Sequence, residues 1–218
     1  MVEVDKCVAH FVNNKGLFEG FAQALMGYFQ NDPELAPSIH FIKYRLKDPG
    51  HLRDKLIRKA AEGKAITVPQ LFDKITDLAG IRIIHLHTSQ MEHIHPAIMA
   101  VLNEQQLRLL EKPVANCWDV EYEELFKKYG ISARPRGSMY TTVHYVVQAN
   151  QKTKVTCEVQ VRTLMDEVWG EVSHRVNYPK SSTSQTCQDQ LKVLARFTSG
   201  CTRLVDSIFQ THFNSTKR

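Results

Sequence analysis

The sequence predicts an α/β fold, because segments with a helical repeat of apolar residues are interspersed with segments in which apolar and polar residues alternate. The clearest strand, residues 157–163, directs Glu158, Gln160 and Arg162 to one face and two valines to the other. A second segment, residues 81–86, is mostly apolar, as expected of a buried strand. Amphipathic segments before, between and after these strands predict helices that flank a sheet.

The composition indicates one sizeable core and excludes several classes of protein. The chain has 218 residues, of which 43% are hydrophobic, and no apolar run approaches the roughly 20 residues of a membrane span. Five scattered cysteines without a C-x-x-C pair argue against a disulfide framework and against a zinc site. The N-terminus lacks the pattern of a signal peptide. We therefore expect a cytoplasmic protein without a membrane partner.

The first third of the chain predicts two helical segments separated by a short strand. Residues 7–30 carry a rough apolar helical face, which Asn13-Asn14 or Gly16 could split. Residues 38–47 alternate in part, which favours a strand, and a helix is predicted from about Leu52 after the loop Asp48-Pro49-Gly50. We treat residues 1–36 as an N-terminal helical segment and residues 37–180 as the central domain.

Cations concentrate around this loop. Arg45 and Lys47 leave the same side of the predicted strand, and Lys55, Arg58 and Lys59 share one face of the following helix. This arrangement suits a compact polyanion, although a solvated helix face has the same pattern.

An acidic residue stands just before the most apolar strand. Residues 69–78 predict a helix that ends near Gly80, so Asp77 lies at the mouth of the sheet and Arg82 near the start of the strand. A carboxylate in this position is a candidate metal ligand, or simply a solvated helix end. His85 and His87 alternate along the strand, which is more typical of packed histidines than of a metal pair.

The second half of the chain predicts further helices and a hairpin. Helices are expected over residues 91–105, 121–129 and 164–176, an edge strand over 107–110, and a basic loop over 134–138. A strand over residues 139–147 and a turn at Asn150-Gln151 lead into the strand of Glu158, which makes His144 its neighbour. Glu171 and His174 form a polar helix face or a metal pair. After the linker 181–186, within a C-terminal segment 181–218, a last helix over 191–213 has an apolar seam of Leu191, Leu194, Phe197, Leu204, Val205 and Ile208.

In order and spacing, these motifs resemble the synthetase domain of the RelA/SpoT alarmone enzymes, specifically the small alarmone synthetases. The resemblance spans residues 39–178 and depends most on the pair Asp-x-Ala-Gly-Ile-Arg (77–82) and Glu-x-Gln-x-Arg-Thr (158–163). It implies a nucleotidyltransferase-like mixed β-sheet flanked by helices, with N- and C-terminal helical extensions. It also implies transfer of pyrophosphate from ATP to the 3′-hydroxyl of GDP or GTP, which yields (p)ppGpp and AMP.

The resemblance assigns roles to individual residues. Asp77 and Glu158 would be catalytic and would hold Mg²⁺, and Glu158 would also accept the proton of the 3′-hydroxyl. ATP would be bound by Arg45 and Arg82, which sandwich adenine, and by phosphate-binding cations, namely Lys47, Lys55 and Arg58. Tyr140 would stack on guanine, and the other acceptor-binding residues would be Arg136, His144, Gln160 and Arg162.

The chain departs from the family pattern at the nucleotide sites. Ser138-Met139 replaces Asn-Gly before the stacking tyrosine, His51 replaces a serine, and Glu167 stands where related enzymes often carry asparagine. The sequence therefore leaves other functions open. The same core could use an adenosine nucleotide or the 3′ end of tRNA as acceptor, with Arg134, Arg136 and the last helix contacting the tRNA. A non-catalytic nucleotide sensor is the third alternative.

Two further expectations follow from the resemblance. No His-Asp pair of the hydrolase half precedes the matching domain, so we expect synthesis of the alarmone without degradation. The apolar seam of the last helix, together with the tetramers that small alarmone synthetases form, predicts a homo-oligomer, with a tetramer suspected.

Overall fold

A computed structural model describes residues 2–135, 139–149, 154–178 and 180–216, and within them it has a mixed sheet flanked by helices. The α/β expectation is confirmed. Three short 3₁₀ helices, Ala36–Ser38, Val68–Gln70 and Thr88–Gln90, lie between the longer helices and the strands of the described ranges. The helices are α1 (Val2–Asn13), α2 (Lys15–Asn31), α3 (Pro49–Ala61), α4 (Leu71–Lys74), α5 (Met91–Glu104), α6 (Val120–Lys128), α7 (Leu164–Asn177) and α8 (Gln185–Thr216).

Within the described ranges the sheet contains seven strands in the order β1-β2-β7-β6-β4-β5, and β3 pairs with β6 as well. The pairs β2–β7 and β4–β5 are parallel and the other pairs are antiparallel. The strands are β1 (Phe41–Leu46), β2 (Ala79–His85), β3 (Arg108–Leu109), β4 (Val114–Cys117), β5 (Ser132–Pro135), β6 (Thr142–Gln148) and β7 (Thr156–Thr163).

The two central strands separate the core from the polar side of the sheet. On β2 and β7, Ile81, Ile83, Val159 and Val161 are buried in one apolar cluster with residues from α1, α2 and α5. The residues between them in the chain, such as Arg82 and Gln160, belong to the opposite face, where α7 contacts both strands. The polar face of β7 that the sequence predicts is therefore confirmed, and it is covered by a helix.

Several predicted boundaries are confirmed and others are wrong. Asn14 separates α1 from α2, as the Asn13-Asn14 pair predicts. The helix predicted over residues 69–78 is wrong beyond Lys74, because Lys47 N donates to Leu78 O at 2.8 Å and so extends the β1–β2 ladder. Arg134 lies in β5 and not in a loop. The turn predicted at Asn150-Gln151 lies outside the described residues.

The apolar seam predicted on α8 is divided between two sides of the helix. Leu191 is buried and its carbonyl accepts a hydrogen bond of 3.0 Å from Trp169 Nε1 of α7. Phe197, Leu204 and Ile208 are 69%, 62% and 56% exposed. The single face that the sequence predicts is therefore wrong, because α8 packs along α7 with one side and leaves the other side uncovered. In the described parts of the chain, none of the helices is long and apolar enough to span a bilayer.

The start of α7 contains a carboxyl group with an unusual protonation equilibrium. Thr163 caps the helix by accepting from Asp166 N at 3.1 Å, and its hydroxyl donates to Asp166 Oδ2 at 2.6 Å. Burial raises the pKa of Asp166 to about 6, although the bonds from Thr163 and the charge of Arg162 oppose the rise. Ionised Asp166 thus destabilises the folded state.

We expect Asp166 to make the protein less stable as the pH rises. Below its ordinary pKa of 3.8 the group is protonated in both states, whereas between 3.8 and about 6 only the unfolded chain ionises readily. The free energy of unfolding should therefore fall across this window. We expect a fall of about 2 kcal/mol, less than the full pKa difference would give, because Asp166 retains some contact with solvent. Urea titrations at several pH values should show that Asp166→Asn removes this loss.

The exposed Asp189 on α8 provides the matched control. Its pKa is lowered by bonds from Lys192 and Gln185, so Asp189→Asn should retain the wild-type loss of stability between pH 4 and 6. Identical pH profiles for the wild type and Asp166→Asn would contradict this assignment.

Candidate active site

A cluster of two lysines and one aspartate forms at the end of β1. Lys47 follows this strand directly, and Lys55 lies on α3, whose N-terminus is capped by Asp48 accepting from His51 N at 3.1 Å. The two ammonium groups donate to the two oxygens of Asp77, each at 2.8 Å. Asp77 lies two residues before β2. The end of β1, the helix α3 and the segment before β2 therefore meet at this cluster.

The charge of Asp77 is stabilised by these two lysines. Burial alone would raise the pKa of Asp77, but the charges and hydrogen bonds of Lys47 and Lys55 outweigh burial and lower the pKa to about 2. Asp77 is therefore ionised at neutral pH, with both lysine cations directed at the same carboxylate.

A second carboxylate lies on β7. Glu158 Oε1 is 3.1 Å from His144 Nδ1 on the neighbouring strand β6, and Glu158 Oε2 accepts from Gln160 Nε2 at 2.7 Å. Burial opposes ionisation of Glu158, as does the negative charge of Asp77, but the contacts with His144 and Gln160 lower its pKa overall. The predicted proximity of His144 and Glu158 is confirmed, and Glu158 can accept a proton at neutral pH.

The other nitrogen of the imidazole is directed away from Glu158. His144 Nε2 is buried and has no hydrogen-bond partner among the described residues. Buried polar atoms in proteins are nearly always paired, so an unpaired one beside a cleft indicates a position for a ligand or water.

On the polar face of the sheet, α7 supplies carboxylates to the arginines. Arg82 Nη1 donates to Glu167 Oε1 at 3.0 Å and also pairs with Glu171. Glu167 pairs in addition with Arg162 of β7. Glu171 therefore binds an arginine, and His174 stacks on the ring of Tyr178, which leaves the proposed Glu171/His174 metal pair unsupported.

Tyr140 is held by Arg162. The Arg162 guanidinium carbon lies 5.4 Å from the centroid of the Tyr140 ring, and Arg162 Nη1 donates to Tyr140 Oη at 3.2 Å. A Cβ atom at Gly170 of α7 would lie 2.6 Å from Arg162 Nη1, so the helix can approach this guanidinium only with glycine there.

Two adjoining cavities open over these groups. The first, of about 310 Å³, we call the tyrosine cavity, and it is lined by Arg45, Arg82, Tyr140, Gln160, Arg162 and His174 together with Lys47, His51 and Tyr178. The second, of about 410 Å³, we call the lysine cavity, and it is lined by Lys55, Arg58, Asp77 and Lys180 together with the same Lys47, His51 and Tyr178. Because they share these three residues, the cavities form one cleft.

Most residues singled out in the sequence come together in or beside this cleft. Arg136 lies outside the described residues. His85 and His87 lie elsewhere: His85 Nδ1 is 3.0 Å from His87 O, and His87 pairs with Asp206 of α8. The sequence reasoning missed Tyr178, whose ring contacts His51 edge-on and stacks on His174. Its spacing of four residues from His174 on a helix was the available signal.

The donor set of the cleft suits a magnesium ion. Asp77 and Glu158 supply carboxylate oxygens, which Mg²⁺ prefers, and they interact electrostatically across the mouth of the sheet. No cluster of three or more His, Cys, Asp or Glu side chains with metal-binding geometry occurs in the described part of the chain. Mg²⁺ characteristically completes its shell with phosphate oxygens and water, so two carboxylates beside the ammonium groups of Lys47 and Lys55 fit it.

Comparison with known proteins agrees with this geometry. GTP pyrophosphokinase YwaC of Bacillus subtilis (strain 168) is 25% identical over 163 residues, which are 72% of this chain and 67% of the relative. A GTP pyrophosphokinase family protein from Streptococcus pneumoniae superposes with a TM-score of 0.67 at 16% identity, covering 99% of this chain and 97% of the other. Small alarmone synthetase 1 from Bacillus subtilis bound to its product pppGpp superposes with a TM-score of 0.63 at 19% identity, covering 94% and 95%.

The structural likenesses establish a shared fold, and a family model establishes membership. The model described as the region found in RelA / SpoT proteins matches residues 44–183, which include the second half of β1, all of β2, β6 and β7, and all described residues of the cleft. The chain therefore belongs to the RelA/SpoT family.

Proposed function

We propose that this chain is an alarmone synthetase that transfers pyrophosphate from ATP to the ribose 3′-hydroxyl of GDP or GTP. The observation that carries the proposal is the pair of ionised carboxylates: Asp77 lines the lysine cavity, and Glu158 accepts a hydrogen bond from Gln160, which lines the tyrosine cavity with Tyr140. The similarity to a GTP pyrophosphokinase and to synthetase structures bound to pppGpp and AMPCPP supports this activity.

ATP would occupy the cleft with its phosphates in the lysine cavity. Lys47, Lys55 and Arg58 line this cavity and would neutralise the phosphate charge. Arg45 and Arg82 line the adjoining tyrosine cavity and would hold adenine between planar guanidinium groups, a stacking contact that an ammonium group cannot provide. The pairing of Arg82 Nη1 with two carboxylates leaves the faces of this guanidinium available for stacking.

Mg²⁺ would be held by Asp77 and Glu158 and would supply charge neutralisation on the transferred phosphates. Lys47 and Lys55 would then turn from Asp77 towards the phosphate oxygens, since each ammonium group has three donors to distribute.

The acceptor nucleotide would bind where Tyr140 lines the tyrosine cavity. Tyr140 would stack on guanine, and His144, Gln160 and Arg162, together with Arg136, would contact the sugar and phosphates. The unpaired Nε2 of His144 supports this placement.

The chemical step would depend mainly on position and charge. The 3′-oxygen forms a bond to the β-phosphorus of ATP, and the bond from that phosphorus to the α–β bridging oxygen breaks, which releases AMP. Glu158 would take the proton of the hydroxyl, because its lowered pKa leaves the carboxylate ionised and without a proton at neutral pH.

Around this centre we propose the organisation that the sequence suggests. Residues 1–36 would form an N-terminal helical segment, residues 37–180 the synthetase domain and residues 181–218 an assembly element. The cysteines in the structure are free, which supports a reducing, cytoplasmic setting.

Loss of either carboxylate should abolish turnover. Asp77→Asn and Glu158→Gln keep the shape of the side chain but remove the charge, so AMP release from ATP plus GDP should fall by about a hundredfold or more. Asp73→Asn provides the control, because Asp73 is exposed and pairs with Lys154 outside the cleft. Substantial turnover in either cleft variant, with an unchanged circular dichroism spectrum, would refute the assignment.

Removal of the aromatic ring of Tyr140 should weaken binding of the acceptor nucleotide more than binding of ATP. Base stacking on an aromatic ring contributes about 1–3 kcal/mol, so Tyr140→Ala should raise the KM for GDP about tenfold or more and raise the KM for ATP less than the KM for GDP. Tyr140→Phe keeps the ring and should change the KM for GDP much less. An unaltered GDP dependence in Tyr140→Ala would contradict this role. Turnover with ATP or tRNA as acceptor, but not with GDP or GTP, would favour the alternative acceptors.

The uncovered side of α8 supports assembly with a second copy of the chain. Four apolar residues are exposed on this side of α8, namely Val193, Phe197, Leu204 and Ile208. They are separated by four, seven and four positions, a spacing that is the same in both directions. Two such helices can therefore pair antiparallel about a two-fold axis, as in most homodimers. A tetramer would require a second interface in addition to this one.

Charges introduced on this side of α8 should dissociate the assembly. Light scattering should show an oligomer for the wild type and a monomer for Phe197→Glu/Leu204→Glu, because the paired surface would bury two like charges. Lys192→Glu/Gln210→Glu alters exposed positions on another side of the helix and should stay oligomeric. A monomeric wild type at tens of micromolar would contradict the proposed interface.

A further inference from the structure

Glu167 occupies the centre of the charged network between α7 and the sheet. Its side chain is only 13% exposed. Lys43 Nζ of β1 and Arg82 Nη1 of β2 lie 3.2 and 3.0 Å from its Oε1, and Arg162 of β7 pairs with its Oε2. One carboxylate therefore pairs with cations from three different strands and reduces the repulsion among them.

The two carboxylate oxygens of Glu167 contact two different arginines of the cleft. Through Oε1 it holds Arg82, which lines the tyrosine cavity together with Arg45 on the proposed ATP side. Through Oε2 it holds Arg162, whose guanidinium in turn donates to Tyr140 Oη at 3.2 Å on the proposed acceptor side. The path from Arg82 to Tyr140 is thus continuous and runs through this single carboxylate.

The packing of α7 keeps this path rigid. Arg162 has a side chain that is 2% exposed, and a Cβ atom at Gly170 would approach its Nη1 to 2.6 Å. Because Glu167 and Gly170 lie on the same helix, α7 confines the Arg162 guanidinium at two positions, through the ion pair with Glu167 and through close approach of the backbone at Gly170. Coupling can pass through such a packed chain of ion pairs and hydrogen bonds.

We propose that Glu167 is a positioning residue that couples the ATP and acceptor sites by orienting Arg82 through one carboxylate oxygen and the Arg162–Tyr140 pair through the other. The inference rests on the proposed function. Because the path is rigid, a nucleotide that moves Arg82 or Tyr140 into its bound position would also move the shared carboxylate and its other partner, so the second nucleotide would meet a site already in the bound arrangement. By linkage, each nucleotide would increase the affinity for the other by the same factor.

Calorimetric titration tests this coupling directly. For the wild type, the Kd of GDP should fall about fivefold or more when a non-hydrolysable ATP analogue saturates its site, and the Kd of the analogue should fall by the same factor with GDP present. Glu167→Gln keeps the size of the side chain but loses its charge. In this variant the factor should approach one, and both KM values should rise.

Glu171→Gln is the matched control. Glu171 forms an ion pair with Arg82 and interacts with Arg162 through charge alone, without an ion pair or hydrogen bond among the described contacts, and its side chain is 42% exposed. This variant should weaken binding of the ATP analogue, retain the affinity for GDP and retain the coupling factor. A structural role for Glu167 alone would lower stability without changing the coupling factor.

A second variant keeps the test decisive if Glu167→Gln does not fold. Glu167→Asp retains the negative charge but is one methylene shorter, so it cannot reach both arginines, and it should lose the coupling while it folds. Wild-type coupling in either folded variant, equal loss in Glu171→Gln, or a wild type without coupling would overturn the inference. A wild type that binds neither nucleotide would instead count against the proposed function.

Discussion

The parallel pairing of β2 with β7 is the constraint on which the rest of the cleft depends. Its register sets Gly80 opposite Glu158 and Arg82 opposite Gln160, which brings the segment after Asp77 alongside the polar face of β7. Parallel neighbours need a crossover connection. Here the chain between them supplies α5, α6 and the strands on the far side of β7, including β6 with His144. One pairing thereby aligns both carboxylates and the histidine.

Charge balance then determines how so many ionisable groups share one cleft. Isolated charges are costly to bury, and several of these are paired: Asp77 with two lysines, Glu158 with His144 and Gln160, and Arg82 and Arg162 with carboxylates from α7. The pairs hold the side chains in position before a substrate arrives. In catalysis of phosphoryl-type transfer, such preorganised charge is the main contribution that a protein makes.

The order of apolar and polar residues predicted those strands whose burial pattern is visible in their own sequence. The alternation in β7 and the apolar run in β2 reflect which face each residue buries, and both strands are observed. The four residues of β4 have no such pattern, and their strand state depends on pairing with β5 and β6. The motifs placed Asp77, Glu158 and His144 correctly together, whereas the role of Glu167 depends on cations that three distant strands bring to it. No local pattern contains that information.

Transfer of labelled pyrophosphate tests the central claim most directly. The purified chain would be incubated with ATP labelled in its γ-phosphate, Mg²⁺ and either GDP or GTP, and the products would be separated and counted. The proposed activity predicts that the label appears in a guanosine nucleotide with two additional phosphates and that AMP accumulates in equal amount. Release of labelled orthophosphate with ADP, or no transfer to either guanosine nucleotide, would contradict it.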